Sequence, residues 1–284
     1  MSLLPTSLIQ ATEVAPKDLI VYSQPKMGKT TIMAELTKKL NGKGLIINLE
    51  SGGTDYVDGY YVNCYEKPTD SFNDAILRYK AVIKELKENP GVYDYIIIDS
   101  LTVLDSWSDI AGTYKFMNTP LGKNFNKDPR TGHVFNHNDA EWKSVTSIGD
   151  GNGWRWPRTW FMDQVEILSS LAPYRIWVGH VKDKFIKQDG GADMISGQEI
   201  NLTGKLKNML TVRVSTLAKL VADGDKRFLS FEIDNDNLIG GSRVPHLTGK
   251  ILISEKSEKG YETHWEKIYP AISSTNTNKQ TKTK

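Results

Sequence analysis

The chain has 284 residues, with 36 Lys and Arg against 34 Asp and Glu and a formal net charge of +2. That surplus is too small to mark a polyanion binder through bulk electrostatics, so any contact with nucleic acid has to come from local clusters of cations. Hydrophobic residues at 39% and charged residues at 25% exclude wholesale disorder and allow one large core.

A single cysteine, Cys64, excludes an internal disulfide framework and suits a reducing compartment. No apolar run approaches the roughly 18 residues of a membrane helix. The start, MSLLPTSLIQATEVAP, lacks the basic region of a signal peptide. These features point to the cytoplasm, or the host cytoplasm if the protein is viral, with no membrane partner.

Residues 1–15 read as an N-terminal lead. Residues 18–22 (DLIVY) form an apolar run that enters a loop, and residues 30–40 have helix-forming character closed by Asn41-Gly42 as a C-cap. Residues 44–49 (GLIINL) make a second apolar run ending at Glu50, before the turn Ser51-Gly52-Gly53. After an extended piece at 60–65, Thr69 is placed to cap a helix. Its apolar residues Phe72, Ala75, Ile76, Tyr79, Val82, Ile83 and Leu86 recur at three- and four-residue steps. It stops at Asn89-Pro90-Gly91, and residues 93–98 (YDYIII) form a buried-type strand ending at Asp99.

Residues 105–158 show no sustained period and read as a long functional loop. Order returns with a helix at 159–171 and a strand at 175–179 (RIWVG) ending at His180. A polar segment at 182–208 precedes expected strands at 212–222 and 227–233. Residues 271–284 end in the low-complexity stretch SSTNTNKQTKTK and read as a flexible tail. Alternating strands and helices indicate an α/β fold with a mostly parallel central sheet covered by helices on both faces, ligands lying at the carboxyl ends of the strands.

Between the first strand and first helix lies Ser23-Gln24-Pro25-Lys26-Met27-Gly28-Lys29-Thr30-Thr31. In a phosphate-binding loop, backbone N–H groups curl around phosphates, a lysine reaches the β- and γ-phosphates, and the next hydroxyl ligates Mg²⁺. Gly28, Lys29 and Thr30 supply these parts. Ser23 stands where the usual pattern begins with glycine, and it is small enough to substitute if its φ is negative. Asp99, at the end of a buried strand, suits a partner of the metal beside Thr30. Glu50 ends the strand after the loop's helix, so a sheet placing that strand beside the Asp99 strand would aim a general base at the terminal phosphate. Its alternative role is a turn-capping residue.

The pieces YSQPKMGKTT, INLESGG, YIIIDSLTVL, the Gly-Trp-Arg-Trp-Pro-Arg stretch and WVGHVKDK, in that order over residues 16–250, resemble the RecA-like ATPases. The resemblance is nearer to the phage nucleotide-binding proteins of the single-strand annealing and recombination type. It implies a RecA-like P-loop NTPase core over residues 16–270 that binds ATP and Mg²⁺. By the same resemblance Glu50 is the catalytic acid, Asp99 the metal partner and His180 the sensor of the γ-phosphate. His180 departs from RecA, which carries glutamine there, and Ser23 and Lys26 are further departures. The implied partners are single-stranded DNA, copies of the same chain in a ring or filament, and a single-strand binding protein. A helicase or packaging-type translocase, or a nucleotide-gated scaffold with little hydrolysis, are the rival functions.

Within the long segment, Trp154, Arg155, Trp156 and Arg158 combine aromatics with cations, the combination that binds single strands by stacking and phosphate contact. The alternative is a tryptophan-rich lid packed on the core. His133 and His137 have the spacing of a metal pair, but no third ligand is evident. Lys205, Lys207, Arg213, Arg227 and Arg243 are all candidates for a basic finger reaching a neighbouring subunit.

Overall fold

The structure is a computed structural model that describes residues 13–186, 194–232, 240–258 and 260–272. Residues 1–12 of the expected lead and 273–284 of the expected tail lie outside the described residues.

The chain begins with β1 (Asp18–Ser23), α1 (Lys29–Lys39), β2 (Gly44–Asn48), β3 (Tyr61–Asn63), α2 (Phe72–Glu88), β4 (Tyr95–Asp99) and α3 (Leu101–Met117). After irregular and 3-10 segments come α4 (Arg155–Ser169), β5 (Tyr174–Ile186), β6 (Met194–Ile200), α5 (Leu206–Arg213), β7 (Thr216–Asp223) and β8 (Lys226–Ser230). The last strands are β9 (Gly241–Ser242), β10 (Lys250–Ser257) and β11 (Gly260–Thr263).

The strand order is β11-β10-β8-β7-β1-β5-β4-β2-β3. From β7 to β3 every pair is parallel. The β7-β8-β10-β11 side is antiparallel. The α/β sheet expected from the sequence, mostly parallel and covered on both faces, is the sheet found.

Alternation along the strands explains the two cores, because successive side chains point to opposite faces. Ile20, Tyr22, Ile96, Ile98 and Trp177 face one layer with Ala75, Tyr79, Leu104, Phe161 and Leu210 of the helices. Leu19, Val21, Ile97, Ile176 and Val178 face the other with Ile32, Met33 and Leu36 of α1 and with Trp265, Tyr269 and Ile272. The parallel strands carry apolar residues on both faces, which is why 93–98 reads as a continuous run. Each fully buried side chain of this kind contributes about 1.5–3 kcal/mol.

Helix α2 follows its periodicity, with Ala75, Ile76, Tyr79 and Ile83 buried. Its cap is Ser71 rather than Thr69: Ser71 and Asp74 form a reciprocal capping box. The expected loop over residues 105–158 is corrected most strongly, since residues 105–117 belong to α3. Its buried face includes Ser108 and Gly112, residues too small to register as apolar periodicity. They are small because α4 crosses there: a Cβ on Gly112 would lie 2.6 Å from the Pro157 nitrogen.

Three further expectations change. The polar segment at 182–208 begins as the continuation of β5 to Ile186, which pairs antiparallel with β6; residues 187–193 lie outside the described residues. Val212 lies in α5, not a strand, and β7 starts only at Thr216. Residue 233 of the expected last strand is outside the described residues, and β8 ends at Ser230. Of the expected tail, Ile272 is 6% exposed and belongs to the second core.

Candidate nucleotide-binding site

The parallel register brings the candidate residues to one end of the sheet. Ser23 is paired with His180 across β1 and β5, and Asn48 with Asp99 across β2 and β4. Glu50, two residues beyond Asn48, therefore comes beside the end of β4, where its side chain meets Ser100.

The loop between β1 and α1 turns on Gly28, which has φ 87° and caps α1. Lys26 also adopts a left-handed φ, 63°. Ser23 is absent from the positive-φ residues, so this position makes no demand for glycine. Ser23 and Lys29 are buried, Gln24, Pro25 and Lys26 are exposed, and Met27, Thr30 and Thr31 are half-buried.

The Lys29 ammonium donates to the Gln24 carbonyl at 2.9 Å, to Ser23 Oγ at 3.2 Å and to the Ser23 carbonyl at 3.3 Å. Burial lowers its pKa, and the charges of Asp99 and Glu50 oppose that shift. It thus occupies a cradle of acceptor oxygens at the mouth of the loop, and its N–H donors suit phosphate oxygens equally.

Thr30 Oγ1 donates to Asp99 Oδ2 at 2.8 Å. Burial, then the neighbouring charge of Glu50, pushes the Asp99 carboxyl up to about 6. A hydroxyl and a carboxylate in contact form a hard-oxygen set compatible with Mg²⁺.

Glu50 Oε1 receives two hydrogen bonds, from Ser100 Oγ at 2.6 Å and, in the donating tautomer, from His180 Nε2 at 2.6 Å. Burial pushes the Glu50 pKa up, but the bonds from His180 and Ser100 outweigh it and the net shift is downward. The group is thereby held as a carboxylate. His180 Nδ1 is buried and has no hydrogen-bond partner among the described residues. The His180 backbone N–H donates to Thr102 Oγ1 at 3.2 Å, and its carbonyl accepts from Asn201 N at 2.8 Å.

A cleft adjoins the loop, lined among others by Met27, Thr31, Glu35, Arg227, Tyr261 and Thr263. Thr263 Oγ1 is buried and lacks a hydrogen-bond partner among the described residues. Nothing in the sequence singled out Tyr261 or Thr263, because β10 and β11 carry no motif and reach the loop only through the antiparallel end of the sheet. Ser100 was equally missed, although it directly follows Asp99.

The tryptophan segment is not an irregular loop. Trp154 caps α4, and Arg155, Trp156 and Arg158 form its first turn. Trp156 is half-buried, with its ring 5.5 Å from Phe116. The guanidinium of Arg155 stacks over Trp156 at 4.9 Å, and that of Arg158 over Trp154 at 5.6 Å. Arg155 is exposed.

His137 and His133 do not share a helix: His137 Nδ1 meets the Tyr114 hydroxyl at 3.1 Å, and no group of three metal-binding side chains occurs among the described residues. Of the candidate fingers, Lys207 pairs with Glu199, Arg213 with Glu166, and Arg243 donates to the Val212 carbonyl. Arg227 donates to the Met27 carbonyl at 3.3 Å, so it stands beside the phosphate loop of its own chain.

No curated protein matches the chain. Among solved structures it is similar to the RadB recombinase, at 14% identity and a TM-score of 0.41 over 88% of this chain and 92% of that one. It is also similar to the flagellar accessory protein FlaH from Methanocaldococcus jannaschii, at 12% identity and a TM-score of 0.38 over 88% and 91%. A family model described as an AAA domain matches residues 15–244, and the chain belongs to that AAA domain family.

Proposed function

We propose that the protein is a Mg²⁺-dependent ATPase acting on single-stranded DNA, in phage recombination or strand annealing. One observation carries the ATPase reading: Lys29, Thr30, Asp99 and Glu50, spread over 70 residues of sequence, converge at one end of the sheet with their hydrogen-bonding groups in register. Lys29 and the loop's backbone N–H groups hold the phosphates. Thr30 and Asp99 would hold the metal, which would supply charge neutralisation at the phosphates. Glu50 keeps Oε2 clear of the Ser100 and His180 bonds and takes the proton from water. The nucleobase would lie in the adjoining cleft lined by Tyr261 and Thr263.

The DNA part rests on the sequence resemblance and on a cationic, aromatic surface. Arg155 is exposed at the start of α4, and Arg158 lies against Gly204, whose added Cβ would sit 3.5 Å from Arg158 Nη2. Gly204 follows Thr203, which Asp105 of α3 holds by the Thr203 backbone N–H at 2.7 Å and hydroxyl at 2.8 Å. That segment begins at Asn201, bonded to the His180 carbonyl, so the γ-phosphate sensor and the cationic surface share a connected piece of backbone.

ATP turnover measured with and without a single-stranded oligonucleotide tests the proposal. Stimulation by DNA is expected. No turnover in either condition favours the scaffold, and stimulated turnover accompanied by strand displacement on a forked duplex favours the translocase.

A further inference from the structure

Glu50 sits at the start of a turn, two residues past the end of β2 and one past Leu49, whose N–H still donates to the Asp99 carbonyl at 2.6 Å. A general base must keep its position to a fraction of an ångström to be effective. The structure provides an anchor built from side chains. Asn48 is 1% exposed, and its amide spans both backbone groups of Glu50: Oδ1 accepts from Glu50 N at 3.1 Å, and Nδ2 donates to Glu50 O at 3.0 Å. The same Nδ2 donates to Asn63 Oδ1 of β3 at 2.9 Å. Asn63 Oδ1 in turn accepts from Thr54 Oγ1 at 2.8 Å, and Thr54 is also 1% exposed. Thr54 lies four residues on from Glu50, so both ends of residues 50–54 are tied to the amide pair of buried Asn48 and half-buried Asn63.

We propose that Asn48, Asn63 and Thr54 form a clamp that positions Glu50 for its work as general base. The inference rests on the ATPase reading of the site. Asn48 is a positioning residue: its amide bonds the backbone of Glu50 and the side chain of Asn63, so it acts through the backbone of Glu50. Its amide is specifically required because one side chain must accept from an N–H and donate to two oxygens, which among uncharged side chains only a carboxamide does at this reach. An aspartate at 48 would keep the bond to Glu50 N but set a negative charge against Glu50 O and Asn63 Oδ1. The Ser100 and His180 bonds fix the carboxylate, and the clamp fixes the backbone that carries it.

The test uses the full chain, with single-turnover ATP hydrolysis and equilibrium nucleotide binding measured side by side. Asn48→Ala should leave the nucleotide dissociation constant within about twofold and lower the hydrolysis rate about tenfold or more. In a Glu50→Gln background, where no base remains to be positioned, Asn48→Ala should cause little further loss. A merely structural residue would lower both backgrounds alike, and that result overturns the clamp. Thr54→Val should slow hydrolysis severalfold while Thr54→Ser restores it, which keeps the inference testable if Asn48→Ala does not fold. Equal rates in Thr54→Val and Thr54→Ser would overturn it as well. If Glu50→Gln itself hydrolyses ATP at the parent rate, the reading of Glu50 as base fails; if Glu50→Gln is slow and Asn48→Ala is fast, only the clamp fails.

Discussion

Replacing Asp99 by asparagine should stabilise the ligand-free protein above about pH 6 while weakening its use of magnesium. Asp99 is 2% exposed, and its carboxyl is raised from 3.8 to about 6 by burial and by Glu50. In the unfolded chain the group returns to its ordinary value, so between the two pKa values the folded protein retains a proton that the unfolded chain releases. Stability is therefore full below the unfolded value, is lost as pH rises through about 6, and the cost is complete above it. A rise of about two units at 1.36 kcal/mol each amounts to about 3 kcal/mol. Asparagine cannot ionise, yet it keeps an oxygen that accepts from Thr30. Urea unfolding at several values between about pH 3 and pH 8 should show the variant gaining up to about 3 kcal/mol at the alkaline end and little near pH 3, with unchanged m-values. Magnesium titration of nucleotide binding should show a weaker response. A variant equal to or less stable than the parent near pH 8 would refute the argument that an ionised, buried Asp99 strains the fold.

Lys29→Ala removes the charge-assisted contact at the loop mouth and should abolish ATP binding detectable by fluorescence titration; parent-like binding would sink the phosphate site. Glu50→Gln should leave binding intact and slow turnover by about 10²-fold, read as a fall in kcat alone. Thr263→Val or Tyr261→Ala should weaken ATP but not tripolyphosphate in competition, because only the base reaches the cleft; an equal effect on both would remove it. Arg155→Ala should lower single-strand affinity and its salt dependence in anisotropy measurements with an unchanged melting temperature. Gly112→Ala, which sets a methyl against the Pro157 backbone, should cost about 1–3 kcal/mol in stability as an overpacking change; an unaltered melting temperature would show that α3 and α4 do not cross closely.

The sequence alone determined whatever depends on neighbours along the chain. The run DLIVY, the loop ending Gly28-Lys29-Thr30, the i, i+3, i+4 face of α2 and the strand ending at Asp99 were legible because strand, helix and phosphate loop are local patterns of periodicity and turn chemistry. Glu50 and Asp99 could be named as partners, but their adjacency rested on a strand order that no local pattern encodes. The parallel pairing of β2 with β4 decided it, setting Asn48 opposite Asp99.

Helix α3 was invisible for the same reason. Its buried face uses Ser108 and Gly112, whose smallness matters only because α4 crosses there. The tryptophan segment looked exposed until Trp156 met Phe116, and only β8 shows that Arg227, one of several candidate cations, reaches Met27 of its own chain. The hydrogen bonds between Asn48 and Glu50 span two residues of sequence, yet their importance depends on Asn63 and Thr54 being folded against them. Local physics wrote the elements, and long-range packing chose which side chains meet, because a contact between residues far apart in sequence leaves no periodic trace in either.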